Sequence, residues 1–228
     1  MTTVLLVDDE ALTRETLRDY LSSDPAIEVV GEASDGQVAV RQAASLLPDV
    51  ILMDMQMPVM DGVTATKKIH AEHPDIAILG LSTFSTDRYV VDLLRAGASG
   101  YLVKDTLPKK ITAAVHAVVA GESVLSSEVT RHVVMGLAAS VPAEVVPDPV
   151  LMESLTEKEF EVIQLLGRGM SNSEMAAELF ITESTVKARF VKVMEKLGVR
   201  DRVQILVTAV ERGLVDLGGS SAEGSRRG

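Results

Sequence analysis

The sequence predicts an α/β fold, a doubly wound five-stranded parallel sheet, followed by a second, smaller all-α helix-turn-helix domain. Three observations lead there. Short runs rich in Val, Ile and Leu, at 4–7, 27–30, 50–53, 76–81 and 101–103, recur between amphipathic stretches over the first 120 residues. Runs so continuously apolar suit strands covered on both faces, as strands of a parallel sheet are. A proline-rich stretch then breaks the pattern, and beyond it no strand signal returns.

Taken in order, each strand run leads into a helical pattern, at 10–22, 36–46, 61–73, 86–96 and 107–120. Pro48, Pro58, Pro74, Gly97, Gly100 and Pro108 punctuate the joins. Five successive βα units imply right-handed crossovers and a first domain over residues 1–120. A linker is expected at 121–150, with a helix at 121–137. Its second part, 138–150, holds three of the chain's eight prolines and reads as semi-extended. Helical patterns at 156–167, 172–179, 183–197 and 202–213 make up a second domain at 151–216. The tail, 217–228, ends Gly-Ser-Arg-Arg-Gly and is expected to be disordered.

Composition narrows the function. Lys and Arg number 22 and Asp and Glu 33, a formal charge of −11 over 228 residues. Such acidity argues against a chain that coats nucleic acid with a general positive surface. No cysteine is present, which excludes disulfides, thiolate nucleophiles and cysteine-ligated metal. No apolar run approaches the roughly 20 residues of a membrane-spanning helix. The start, Met1 to Asp9, lacks a basic segment and reaches carboxylates early, so no signal peptide and a cytoplasmic location are expected. The charge is uneven, however. Residues 1–150 carry a net −10 and residues 151–228 a net −1. Between Thr182 and Arg202 the sign reverses, with six cationic side chains against three acidic ones.

In an open α/β sheet the functional crevice lies at the carboxyl ends of the strands. Asp8 and Asp9 end the first strand run and Asp54 the third; Ser82 ends the fourth, and Lys104 follows the fifth. Three neighbouring carboxylates need a counter-charge to stay ionised. A hard divalent cation with oxygen ligands, Mg²⁺ above others, supplies it. One carboxylate then attacks phosphorus to form an acyl phosphate, while an ammonium group neutralises the phosphoryl oxygens. Lys104 suits that role, and the Ser82 hydroxyl suits donation to another oxygen.

These residues carry a resemblance. Val7-Asp8-Asp9-Glu10, Met53-Asp54-Met55-Gln56-Met57-Pro58-Val59-Met60-Asp61-Gly62, Leu81-Ser82-Thr83 and Gly97 to Lys104 resemble the motifs of response-regulator receiver domains in bacterial two-component signalling, a flavodoxin-like fold. The resemblance implies that Asp54 is the phospho-acceptor. It further implies that Asp9, Asp54 and the main-chain carbonyl of Gln56 bind Mg²⁺, with Asp8 acting through water. Ser82 and Tyr101 correspond to a switch pair that responds to the phosphoryl group. Other readings of single residues are weaker. Asp8 and Asp9 alone could cap a helix. Met53, Met55, Met57 and Met60 could hold a soft metal, but Met53 belongs to the strand and the others fit the receiver motif. His70 and His73 read as a solvated surface pair.

In the second domain, Thr156 and Glu159 have the spacing of a capping box. A short helical pattern from Ser171 to Phe180, a tight turn and a second pattern ending near Leu197 read as helix-turn-helix. Val186, Phe190, Val193 and Leu197 form the buried stripe of the second helix. Ser184, Ala188, Val191, Lys192 and Glu195 lie opposite, flanked by Lys187 on one side and by Thr185, Arg189 and Lys196 on the other. Small residues permit close approach to base edges in a major groove, and Lys187 and Lys192 suit phosphates. On charge alone, a solvated basic face is the better explanation of the pattern.

Residues 155–215 also resemble the C-terminal DNA-binding domain of LuxR/NarL-type regulators. The matching text is Leu155-Thr156, Gly169 to Asn172, Glu174-Met175-Ala176, Ser184-Thr185-Val186-Lys187, Lys196 to Val199 and Gly213-Leu214-Val215. That family commonly has His where this chain has Arg189. The resemblance implies that Ser184, Thr185, Lys187, Ala188, Arg189 and Lys192 contact double-stranded DNA. A sensor histidine kinase, a homodimer formed on phosphorylation and RNA polymerase are the other expected partners, and no membrane is. Slow self-phosphorylation and self-dephosphorylation apart, no enzyme activity is expected. Two alternatives stand beside this reading. One is DNA binding independent of phosphorylation, against which the intact polar set argues. The other is a phosphohydrolase with Asp54 as nucleophile, but Gln56 stands where such enzymes commonly place a second acid.

Overall fold

The computed structural model describes residues 1–82, 87–104, 108–122, 124, 130, 133–137 and 149–215. Five parallel strands form one sheet: β1 (Thr2–Val7), β2 (Ile27–Ala33), β3 (Val50–Asp54), β4 (Ala77–Ser82) and β5 (Gly100–Val103). Their order is β2-β1-β3-β4-β5. The connecting helices are α1 (Ala11–Ser22), α2 (Gly36–Leu46), α3 (Gly62–Glu72), α4 (Asp87–Arg95) and α5 (Pro108–Val119). Val4 to Val7 and Val50 to Met53 have no solvent exposure at all, as helices on both faces require. Val4 pairs with Val50, and Leu52 with Leu79. The strand order reverses between β1 and β3, so the crevice opens where Asp8 follows β1 and Asp54 ends β3.

Turn chemistry fixes the helix starts. The Asp35 carboxylate accepts from Gln37 N and Val38 N at the head of α2, and the Asp61 carboxylate accepts from Thr64 N at the head of α3. A Cβ on Gly62 would lie 2.1 Å from the Asp54 carbonyl oxygen, so only glycine lets α3 begin against the end of β3.

The second domain contains α6 (Pro149–Ser154), α7 (Glu157–Gly167), α8 (Asn172–Glu178), α9 (Glu183–Leu197) and α10 (Arg202–Glu211). Capping boxes open α7 and α8, at Thr156/Glu159 and Ser171/Glu174. α9 starts at Thr182, whose hydroxyl accepts from Thr185 N, and ends at Gly198 with φ +65°. Val186, Phe190 and Val193 are buried, whereas Leu197, the last of the expected stripe, is half-buried. α6 begins inside the stretch read as linker. Proline is compatible with a first helical turn, where its missing N–H has no intrahelical partner to lose. Residues 133–137 are helical. The rest of the expected 121–137 helix lies largely outside the described residues, as do 138–148 and the tail.

The two domains share a core. One buried cluster runs from Val90, Leu94 and Tyr101 into Val203, Val207 and Val210. At its edge the Gln204 Nε2 donates to the carbonyls of Leu94, at 3.0 Å, and Ala98, at 2.8 Å. The Leu94 carbonyl in the last turn of α4 also accepts from Gly97 N, so Gln204 adds a second donor there and one to Ala98 in the turn that follows. Arg95 pairs with Glu211 at 3.1 Å, and the Arg200 guanidinium donates to the Asp75 carbonyl. Among the described residues, no helix is long and apolar enough to cross a membrane.

Candidate functional site

At the carboxyl edge of the sheet, one oxygen each from Asp8, Asp9 and Asp54 lies within 4.8 Å of the others. Asp8 is wholly buried and Asp54 nearly so, while Asp9 is exposed. The Lys104 ammonium sits 2.8 Å from Asp8 Oδ2 and 3.0 Å from Asp54 Oδ1. Asp8 is held further by Glu10 N, which donates to its Oδ1. The Arg14 guanidinium donates to the Asp8 carbonyl.

Burial pushes the Asp54 carboxyl above the ordinary range; Lys104 works against that shift and the Asp8 charge adds to it. For Lys104, burial acts to lower the ammonium's pKa, but contact with Asp8 and Asp54 outweighs it and leaves the pKa raised. One ammonium therefore serves two buried carboxylates, and Asp54 still lacks full compensation. A hard cation fits that shortage. The donors are all oxygens, three carboxylates are close together, and the exposed Asp9 opens the group to solvent. A cleft of about 720 Å³ adjoins it, lined by Asp9, Gln56, Asp61, Lys67, Asp92 and Arg95 among others.

Gln56 is exposed in the loop after β3. Ser82 is the last residue of β4, and its side chain lies outside the described part of the structure. Tyr101, on β5, is 8% exposed and belongs to the core cluster shared by the two domains. Asp8, Asp9, Asp54 and Lys104 are thus brought together, as the strand-end argument expects. His70 differs from the expected solvated pair. Its ring packs on Gly97 and its Nδ1 is shielded from solvent, because α3 ends against the α4–β5 turn.

On α9, Ser184, Thr185, Lys187, Ala188 and Lys192 are exposed. The hydroxyls of Thr182, Ser184 and Thr185 cluster at the helix start, with Thr182 Oγ1 2.8 Å from Ser184 and 2.9 Å from Thr185. The cationic residues are less free than their count implies. Lys187 pairs with Glu122, just beyond α5, and Lys196 pairs with Glu159 at 2.6 Å. Arg189 turns toward Glu161 and the Lys158 carbonyl on α7. Arg202 donates to Asn172 Oδ1 and the Met170 carbonyl, and its guanidinium lies 4.9 Å from the Phe190 ring centre. Burial lowers its pKa to about 10. Ala120, Gly121, Glu122, Lys187, Val191 and Met194 line a cavity of about 140 Å³, so part of the α9 surface faces the end of the first domain and the start of the linker.

Two family models match the chain: the response regulator receiver domain over residues 4–116, and the bacterial regulatory proteins of the luxR family over residues 153–209. The transcriptional regulatory protein LiaR of Bacillus subtilis is 42% identical, covering 95% of this chain and all of its own length. The response regulator protein VraR of Staphylococcus aureus is 41% identical, covering 93% of this chain and 98% of its own. Among solved structures, the receiver domain of the response regulator NarL from Mycobacterium tuberculosis aligns with a TM-score of 0.52 at 34% identity. That alignment covers 53% of this chain and 98% of the other.

Proposed function

The chain belongs to the response regulators that join a receiver domain to a LuxR-type DNA-binding domain, and from that premise we propose that phosphorylation of Asp54 controls its binding to DNA. It is a transcription factor of a two-component system. The observation that carries the proposal is the meeting of Asp8, Asp9 and Asp54 with the Lys104 ammonium at one strand edge.

In this reading an Asp54 carboxylate oxygen attacks the phosphorus of a phosphohistidine on a sensor histidine kinase. The P–N bond breaks, the imidazole leaves and an acyl phosphate forms. Lys104 neutralises charge on the phosphoryl oxygens and keeps one cation against the buried pair. Asp9, Asp54 and the Gln56 carbonyl would hold Mg²⁺, with Asp8 acting through water; the ion supplies positive charge to the transferring group. The Ser82 hydroxyl and Tyr101 are the proposed switch pair.

The docked domains favour release as the consequence. α9 faces Glu122 through Lys187, an arrangement that competes with a DNA phosphate for the same ammonium. Once released, two copies dimerise and place Ser184, Thr185, Lys187, Ala188, Arg189 and Lys192 at paired half-sites, beside RNA polymerase, in the cytoplasm. The domain limits proposed are 1–120 and 151–216, joined by the linker at 121–150.

Incubation with a small acyl-phosphate donor and Mg²⁺ tests the assignment. Wild type takes up one phosphoryl group per chain, and Asp54→Asn takes up none. A labelled Asp54→Asn protein would refute the choice of acceptor.

A further inference from the structure

We infer that Phe180, the turn residue of the helix-turn-helix, contacts DNA through its ring, which packs on the deoxyribose edge of the groove that α9 enters. The inference rests on the DNA-binding reading above and adds a residue that carries no charge and reads no base.

Phe180 has φ +54°, in the left-handed region that strains any residue with a Cβ. It is also 94% exposed, the most exposed large apolar side chain among the described residues. Both features are unfavourable in the free chain, and glycine would remove both. The turn does not need the ring. Phe180 N donates to the Ala177 carbonyl and Ile181 N to the Ala176 carbonyl, all main-chain groups. The neighbours Leu179 and Ile181 supply the packing against the core.

Position points to the occupant. Phe180 stands two residues ahead of Thr182, where α9 begins with its exposed hydroxyls. Docking of the domains engages Lys187 on α9 but leaves Phe180 open. Seating α9 in a major groove carries the turn to the groove's rim. A flat apolar ring there meets the C–H surface of deoxyribose, which is the same at every base pair. Such a contact positions the helix without specifying sequence.

The test titrates the full chain, with and without phosphorylation, against a duplex selected from a random pool and against random-sequence duplex. Wild type is set beside Phe180→Ala and Phe180→Gly. Partial burial of one ring corresponds to about fivefold weaker binding in either variant, equal on both duplexes. The slope of log affinity against log salt stays unchanged, because a neutral ring releases no counterions. Phe180→Gly melts no lower than wild type, since the left-handed strain is gone. Unchanged affinity overturns the proposal, and a fall in transcription with purified polymerase would then assign the ring to a protein surface. Weakening confined to the selected duplex overturns it in favour of base reading. A lower melting temperature for Phe180→Gly overturns it by giving the ring to the fold. If wild type binds neither duplex, the DNA-binding reading itself fails, and this proposal with it.

Discussion

Asp201 caps α10 by accepting from Gln204 N, yet it is only 1% exposed. Burial holds its carboxyl above the ordinary range, with Ser99, Gln204 N and Arg200 acting in the other direction. A folded-state pKa above the unfolded value means that ionisation opposes folding. The stabilisation is complete below the unfolded pKa of about 3.9 and is lost as pH rises through the folded value. Asp201→Asn keeps a capping oxygen and removes the charge. It should melt higher than wild type at neutral pH, and the two should converge as the medium is acidified below the ordinary carboxylate range. Melting curves across that range check this, and a constant difference would contradict it. Asp201 also marks where sequence stops being legible. Asp8, Asp54 and Lys104 stand out because short apolar runs end at them and parallel strands align their ends. Asp201, Gln204 and His70 owe their burial to segments distant in the chain, and no local spacing announces that.

The helices that sequence reveals best are those with caps as well as periodicity. Thr156 and Glu159 declare the start of α7 from spacing alone, and the structure shows the reciprocal bonds. α6 was legible to neither rule, since six residues hold too little periodicity and its proline reads as a breaker. α9 is legible as a helix, but its surface charge is not. Six cations between Thr182 and Arg202 look like one basic face until Arg189, Lys196 and Arg202 are seen bonded within their own domain. The Thr182 side chain caps α9. Thr182→Ala should therefore lower stability by about 1 kcal/mol. Urea unfolding measures it, and an unchanged midpoint would show that the cap contributes nothing.

At the scale of the whole molecule, Gln204 joins the domains through two buried bonds to main-chain carbonyls around the end of α4. Gln204→Ala removes both bonds; the Leu94 carbonyl keeps its Gly97 N donor but the Ala98 carbonyl loses the Gln204 donor, a loss of about 1–3 kcal/mol in docking. DNA affinity of the unphosphorylated protein should then rise about tenfold, with less change in the phosphorylated one. Equal affinities for variant and wild type would separate the contact from DNA binding. The two-domain order was legible from the proline-rich break, but the shared core was not, because each half already has enough apolar residues to fill its own interior.

The docked arrangement has a consequence that runs backwards. Asp54 pairs in register with Leu81 on β4, and β4 leads toward α4, whose end Gln204 holds. If a phosphoryl group on Asp54 opens that contact and favours DNA, then DNA that opens the contact favours the phosphoryl group by the same factor. A promoter already occupied by the protein is not only the destination of the signal. On that condition it is also a place where the equilibrium between donor and Asp54 would be drawn toward the phosphorylated chain.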